Sequence, residues 1–250
     1  MNGTPLSTII HAVHSTIGAI GITSNAFLTL LILTKTPRYF LTYSFILFNC
    51  ALSDLIEVVA DTMAMQRFVF AFPMQIFISY GPCGIVSPWF CFLNTCIIVQ
   101  GVVQSTMLLA VSFWYRRVVL IAQAPSIKRL AIIIACTYAA NIAVMFSFLS
   151  TSADENILRT QFLMIHPEEN VTGLVFAGQA NALAIPALIA LSYYCTAPLL
   201  GYIVIFVMRR KALTFHAFSP IFTAFGVFTA LPQLFGIVQK NIFAEIFMIS

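Results

Sequence analysis

Six apolar runs, at about 9–34, 42–65, 88–115, 128–149, 183–208 and 217–238, divide the 250-residue chain, and each is long enough to cross a bilayer. Backbone polar groups inside lipid must be satisfied within the element, which leaves only helices or a closed barrel. Barrel strands are about half this length and alternate in polarity, and these runs do neither. With 60% hydrophobic and 8% charged residues, the chain carries more apolar surface than one water-soluble core can hide. The expected class is therefore all-α, a polytopic transmembrane helix bundle forming a single domain over residues 1–250. No basic leader precedes the first run, which is longer than a signal-peptide core and reads as a retained span.

Lys and Arg near span ends stay on the cytoplasmic side. The linkers after spans one, three and five carry Lys35, Arg38, Arg116, Arg117, Lys128, Arg129, Arg209, Arg210 and Lys211, whereas those after spans two and four carry Arg67 and Arg159. Nine basic residues against two put the N-terminus outside. Glycan acceptor triplets start at Asn2 and Asn170, and both fall on that outer side, Asn170 being the better placed. The connection over residues 150–182 holds Asp154, Glu155, Glu168 and Glu169 against Arg159. It reads either as a solvated loop or as a lid over a ligand entrance.

Span two is unusual in carrying Asp54, Glu57 and Asp61, spaced i, i+3 and i+7 so that one helical stripe holds all three. A charge at mid-depth costs about 2.5–3.5 kcal/mol on insertion scales and needs a partner, a wet cavity or a proton. No basic residue inside the spans is placed to pair with them. Three readings stand: Asp54 hydrogen-bonded to Asn25 of span one as a structural hub, an ion or proton site, and ligand contact through Glu57 and Asp61 nearer the outer half. Gln100 and Gln104 share a face of span three and read as helix-to-helix hydrogen-bonding groups or as ligand contacts.

At the inner end of span three, Phe113, Trp114, Tyr115, Arg116 and Arg117 form either an interfacial anchor or a contact surface for a cytoplasmic partner. Cys50, Cys96, Cys136 and Cys195 lie within spans as small packing residues, while Cys83 and Cys91 stand at the outer entrance to span three, where a disulfide can form. His11 and His14 sit one turn apart and read as interfacial residues rather than metal ligands. Prolines 186, 198 and 232 suggest kinks in or beside spans five and six. Metalloprotease, nucleophile-elbow, phosphate-loop and Cys-x-x-Cys signatures are absent, so neither an enzyme nor a cofactor or metal protein is expected.

Taken together these residues resemble a rhodopsin-like seven-helix receptor: Asn25 in span one, residues 51–55 (Ala-Leu-Ser-Asp-Leu) in span two, and Cys91 placed 25 positions before Arg116. More closely, the chain is similar to the nematode serpentine chemoreceptors of the delta class. That likeness rests on Gly21 and Asn25, Thr36 and Pro37 followed by Thr42, Tyr43 and Ser44, Gln66 and Arg67, residues 80–83 (Tyr-Gly-Pro-Cys), Cys91, Phe113, Tyr115 and Arg116, and residues 230–232 (Ala-Leu-Pro). The resemblance implies that Asp54 is a mid-membrane polar hub or sodium site and that Arg116 guards a surface facing a heterotrimeric G protein. It also implies a plasma membrane of sensory cells and an extracellular small-molecule ligand. Three departures accompany it. Arg116 follows Tyr115 where the superfamily carries an acid, the outer loop has no cysteine to tether span three, and the third cytoplasmic linker is short.

The functional expectation is a chemosensory receptor whose partners are the lipid bilayer, a small molecule and a G protein, with no nucleic acid. Residues 242–250 read as the beginning of a seventh span, and without that span part of the cavity and of the inner surface would be lost. The rival expectations are a small transporter or channel using the span-two carboxylates, and a non-signalling accessory protein or relic.

Overall fold

The computed structural model describes residues 5–37, 40–168 and 171–213. Asn2, Asn170, the sixth apolar run and residues 242–250 lie outside them. Within them the order is α1 (Pro5–Lys35), α2 (Leu41–Ala64), β1 (Gln66–Ala71), β2 (Met74–Ser79), α3 (Cys83–Val86), α4 (Pro88–Ile121), α5 (Ile127–Leu149), α6 (Glu155–Ile165), β3 (Val175–Gln179) and α7 (Ile185–Leu213). Five of these helices, α1, α2, α4, α5 and α7, are long and apolar enough to span a bilayer.

Helix α4 is the axis of the bundle, with α2, α5 and α7 packed around it and α1 against α2. Its start is set by Ser87, whose hydroxyl accepts from Phe90 N–H at 3.1 Å, with Pro88 at the first helical position. Ser126 and Asp154 cap α5 and α6 in the same way. Small residues let the long helices approach. A side-chain carbon at Gly101 would stand 2.8 Å from Glu57 Cβ on α2, and one at Gly21 of α1 would stand 3.0 Å from Val58 Cγ1. Many span hydroxyls and amides bond back to the carbonyl one turn earlier, as Thr62 does to Val58 and Asn94 to Phe90, and so need no partner from lipid.

The bundle is all-α, as expected, but one end carries a three-stranded antiparallel sheet of order β1-β2-β3 that the sequence reading did not include. The hairpin pairs Gln66 with Ser79 and Ala71 with Met74 around Phe72 and Pro73, and β3 adds Gln179 opposite Gln75. Alternation gives the sheet two faces. Phe77 points to the bundle and joins Phe92, Phe148, Cys83 and Cys91, whereas Ile76 and Ile78 join Phe176 and the buried face of α6, Leu158 and Phe162. The connection 150–182 is thus largely folded, as α6 laid over a sheet, and not a bare loop. Gly178 has φ of +148°, and a side chain there would collide with the Gln75 carbonyl oxygen, so the β2–β3 pairing requires glycine.

Candidate functional site

The three carboxylates of α2 do not share one neighbour, because α2 lies between α1 and α4 and their stripe meets both. Asp54 accepts a hydrogen bond from Ser105 of α4, and Glu57 rests over Gly101 of the same helix. One turn nearer the sheet, Asp61 faces α1: its carboxylate lies 3.4 Å from Nε2 of the buried His14. Two expectations are corrected here. Asn25 does not bond Asp54; its amide donates to Gly21 O of its own helix at 3.0 Å. And a basic partner does exist inside the spans, namely His14, while His11 stacks edge-on against Tyr80 with centroids 5.4 Å apart.

Gln100 and Gln104 also separate. Gln100 makes no hydrogen bond with the described residues, but Gln104 is fully buried and forms a junction. Its amide nitrogen donates to Thr137 Oγ1 at 3.1 Å, and its oxygen accepts from Asn141 of α5. Asn141 in turn accepts from the Tyr193 hydroxyl of α7 at 2.5 Å. Since Gln104 and Ser105 are adjacent on α4, a polar belt runs from Asp54 on α2 through α4 and α5 to α7. Ser105, Thr137, Asn141 and Tyr193 were missed by sequence reading. The available signal was weak: a single Asn, with Thr137 one turn before it, in the middle of a mostly apolar span.

At the end opposite the sheet, Arg116 donates to the Tyr43 hydroxyl at the start of α2 and lies over the Tyr43 ring, 5.1 Å from its centroid, and over Phe113 at 5.6 Å. Tyr115 stacks on Tyr43 with centroids 5.9 Å apart. The arginine that lacks a neighbouring acid in sequence is therefore held by an aromatic box from α2 and α4. Arg117 has no such partner among the described residues.

The sheet end is tied down by a disulfide between Cys83 and Cys91, by Thr95 donating to Gln66 at 2.6 Å, and by the aromatic contacts Phe77 to Phe92, Phe92 to Phe148 and Phe148 to Tyr194. On its far side Arg159 bonds Glu155 at 3.0 Å and Leu174 O at 2.8 Å and covers the Phe176 ring. A cleft of about 360 Å³ opens between Ser87, Trp89 and residues 152–156, away from Glu57, Asp61, Gln100 and Gln104.

A family model described as serpentine type 7TM GPCR chemoreceptor Srd matches residues 10–217. Serpentine receptor class delta-1 of Caenorhabditis elegans is 32% identical over 201 residues, covering 78% of this chain and 54% of that protein. Serpentine receptor class delta-3 of the same organism is 32% identical over 231 residues, 85% of this chain and 66% of the relative. Class delta-2 is 27% identical over 252 residues, 87% and 69% respectively. The chain thus spans 54% of the length of the first of these relatives and 66% of the second. With that match over most of its length and a bundle of membrane-length helices, the chain belongs to the Srd family of serpentine seven-transmembrane chemoreceptors.

Proposed function

We propose that this chain acts as a G-protein-coupled chemosensory receptor with its N-terminus and sheet outside the cell, in the plasma membrane of sensory cells. A small extracellular molecule shifts the helix bundle, and the surface around Tyr115, Arg116 and Arg117 engages a heterotrimeric G protein. The observation that carries this reading is the polar belt from Asp54 through Ser105, Gln104 and Asn141 to Tyr193. It couples four helices through bonds that can be exchanged as a unit, which a two-state signalling bundle requires. Asp54 serves as the polar hub, and Glu57, Asp61 and Gln104 as the groups through which ligand occupancy reaches it.

The belt and the Arg116 box share α4, Arg116 standing 11 positions, or roughly 16 Å of helix at 1.5 Å per residue, beyond Ser105. A shift of α4 relative to α2 therefore reaches both. The test is G-protein activation in cells expressing the chain, challenged with panels of small volatile and soluble compounds. The expected result is a response that Gln104→Leu and Arg116→Ala abolish while surface display persists. A compound that activates the wild type and Gln104→Leu equally would remove the belt from the mechanism, and uptake or current without G-protein activation would favour a transporter.

A further inference from the structure

The end of the bundle opposite the sheet is electrostatically one-sided. Lys35, Arg116, Arg117, Lys128 and Arg129 lie there, and the described Asp and Glu residues are all elsewhere, three within α2 and the rest at the sheet end. Arg116 is occupied by Tyr43, but the charged groups of Arg117, Lys128 and Arg129 have no partner among the described residues. All three lie where α4 leads into α5, Arg117 four positions before the end of α4 and Lys128 and Arg129 in the first turn of α5. Helices α4 and α5 are joined there by residues 122–126, in which Pro125 is buried, and Leu130 of α5 packs with Trp114 of α4. Beside the cations, Val119, Leu120, Ile121 and Ile127 are exposed.

We propose that this α4–α5 corner binds an anionic phospholipid of the leaflet it faces, the headgroup held by Arg117, Lys128 and Arg129 and the acyl chains lying along Val119, Leu120 and Ile121. Unpaired cations flanked by exposed aliphatic side chains match an amphiphile with a negative head better than they match water or a zwitterionic lipid. A polybasic cluster next to a span is attracted to anionic lipid in a salt-dependent way. Arg also takes phosphate through its planar fork, which Gln cannot reproduce. The inference goes beyond the receptor reading: it gives Arg117 to the lipid and leaves Tyr115 and Arg116 as the cytoplasmic contact surface, and it does not depend on signalling or on which side of the cell membrane this end occupies.

The chain contains two tryptophans, and they mark opposite ends: Trp114 at this corner and Trp89 at the start of α4 near the sheet. The full chain, as Trp89→Phe, is reconstituted into nanodiscs of phosphatidylcholine carrying a minor, equal fraction of either brominated phosphatidylserine or brominated phosphatidylcholine, and quenching of Trp114 is read. Both leaflets are accessible in a nanodisc, so the result is independent of cellular orientation. The serine lipid is expected to quench Trp114 several-fold more effectively, since one unscreened cation near the surface enriches anionic lipid about fivefold. The preference falls toward one in R117Q/K128Q/R129Q and in high salt, and Trp89, read in Trp114→Phe, shows none. If the triple variant does not reconstitute, Lys128→Gln and the salt series carry the same comparison. Equal quenching of Trp114 by the two lipids, or a preference that survives both charge removal and salt, overturns the proposal and leaves this face to a protein partner.

Discussion

Replacing Asn141 by Ala tests the polar belt at the residue that holds most of it. Asn141 is completely buried and joins two other helices to α5, donating to Gln104 and accepting from Tyr193. Ala removes both bonds and leaves a Gln104 oxygen and a Tyr193 hydroxyl facing a smaller, apolar side chain. An interhelical hydrogen bond in a membrane protein is worth about 0.6 kcal/mol on average and up to about 1.7 kcal/mol. Two of them give a loss of about 1–3 kcal/mol. At about 2–4 °C per kcal/mol for a chain of this size, apparent Tm falls by roughly 2–12 °C. The assay is thermal unfolding of the purified protein in detergent, with Cys136→Ala, an exposed position on the same helix, as the control. The double variant with Gln104→Ala should cost less than the sum of the singles by about 0.5 kcal/mol or more, because the two residues share a bond. If Asn141→Ala melts with the control, or if the two substitutions add without coupling, the belt is not a connected structural unit and the reasoning fails.

Three other outcomes follow from the structure. Cys83→Ser releases a disulfide that spans eight positions, and the chain-entropy relation places the loss at about 2–3 kcal/mol, read as faster proteolysis of the sheet end than of the spans. Phe162→Ala empties a fully buried position between α6 and the sheet, at a cost of about 3–5 kcal/mol local to that unit, and hydrogen exchange should rise in α6 and β3 but not in α4. Tyr43→Phe removes the hydroxyl that accepts from Arg116 while keeping the ring beneath it, so on the proposed receptor function basal G-protein activation should increase without loss of protein at the surface. Unchanged basal activity would mean that the aromatic contact alone restrains Arg116.

The helical class was legible because lipid leaves the backbone so few solutions that apolar run length alone decides the element. The span-two carboxylates were legible as polar groups turned toward protein, since periodicity gives a face. It does not give the neighbour. Asp54 and Asn25 lie on adjacent spans, yet the oxygen that meets Asp54 comes from Ser105, and nothing in local spacing distinguishes a serine that will cross to another helix from one that bonds its own carbonyl. The sheet was missed for a different reason. Residues 66–71 and 74–79 are rich in Phe, Val and Ile, which suits strands, but they do not alternate polar with apolar, the Phe-Pro pair between them is not a usual hairpin turn, and their partner strand lies about a hundred residues away. Arg116 shows the same limit: its lost acidic neighbour was visible, and its replacement by Tyr43 from another helix was not.

The hairpin begins directly after α2, where Tyr80 N–H and Gly81 N–H donate to Met65 and Ala64 carbonyls, and its far tip is fastened by Ala182 N–H donating to Pro73 O at 2.8 Å, three residues before α7 starts. The sheet is therefore a strap between the ends of two helices that belong to opposite sides of the bundle. A strap of that kind resists spreading where it is fastened and leaves the far ends free, so α2 and α7 can part only by hinging about the strapped end. Displacements are then smallest beside the disulfide and grow with distance along the helices, reaching their largest value at the level of Tyr43 and Arg116. On the receptor function proposed above, such a lever would turn a small rearrangement near the strap into a wide opening at the opposite face.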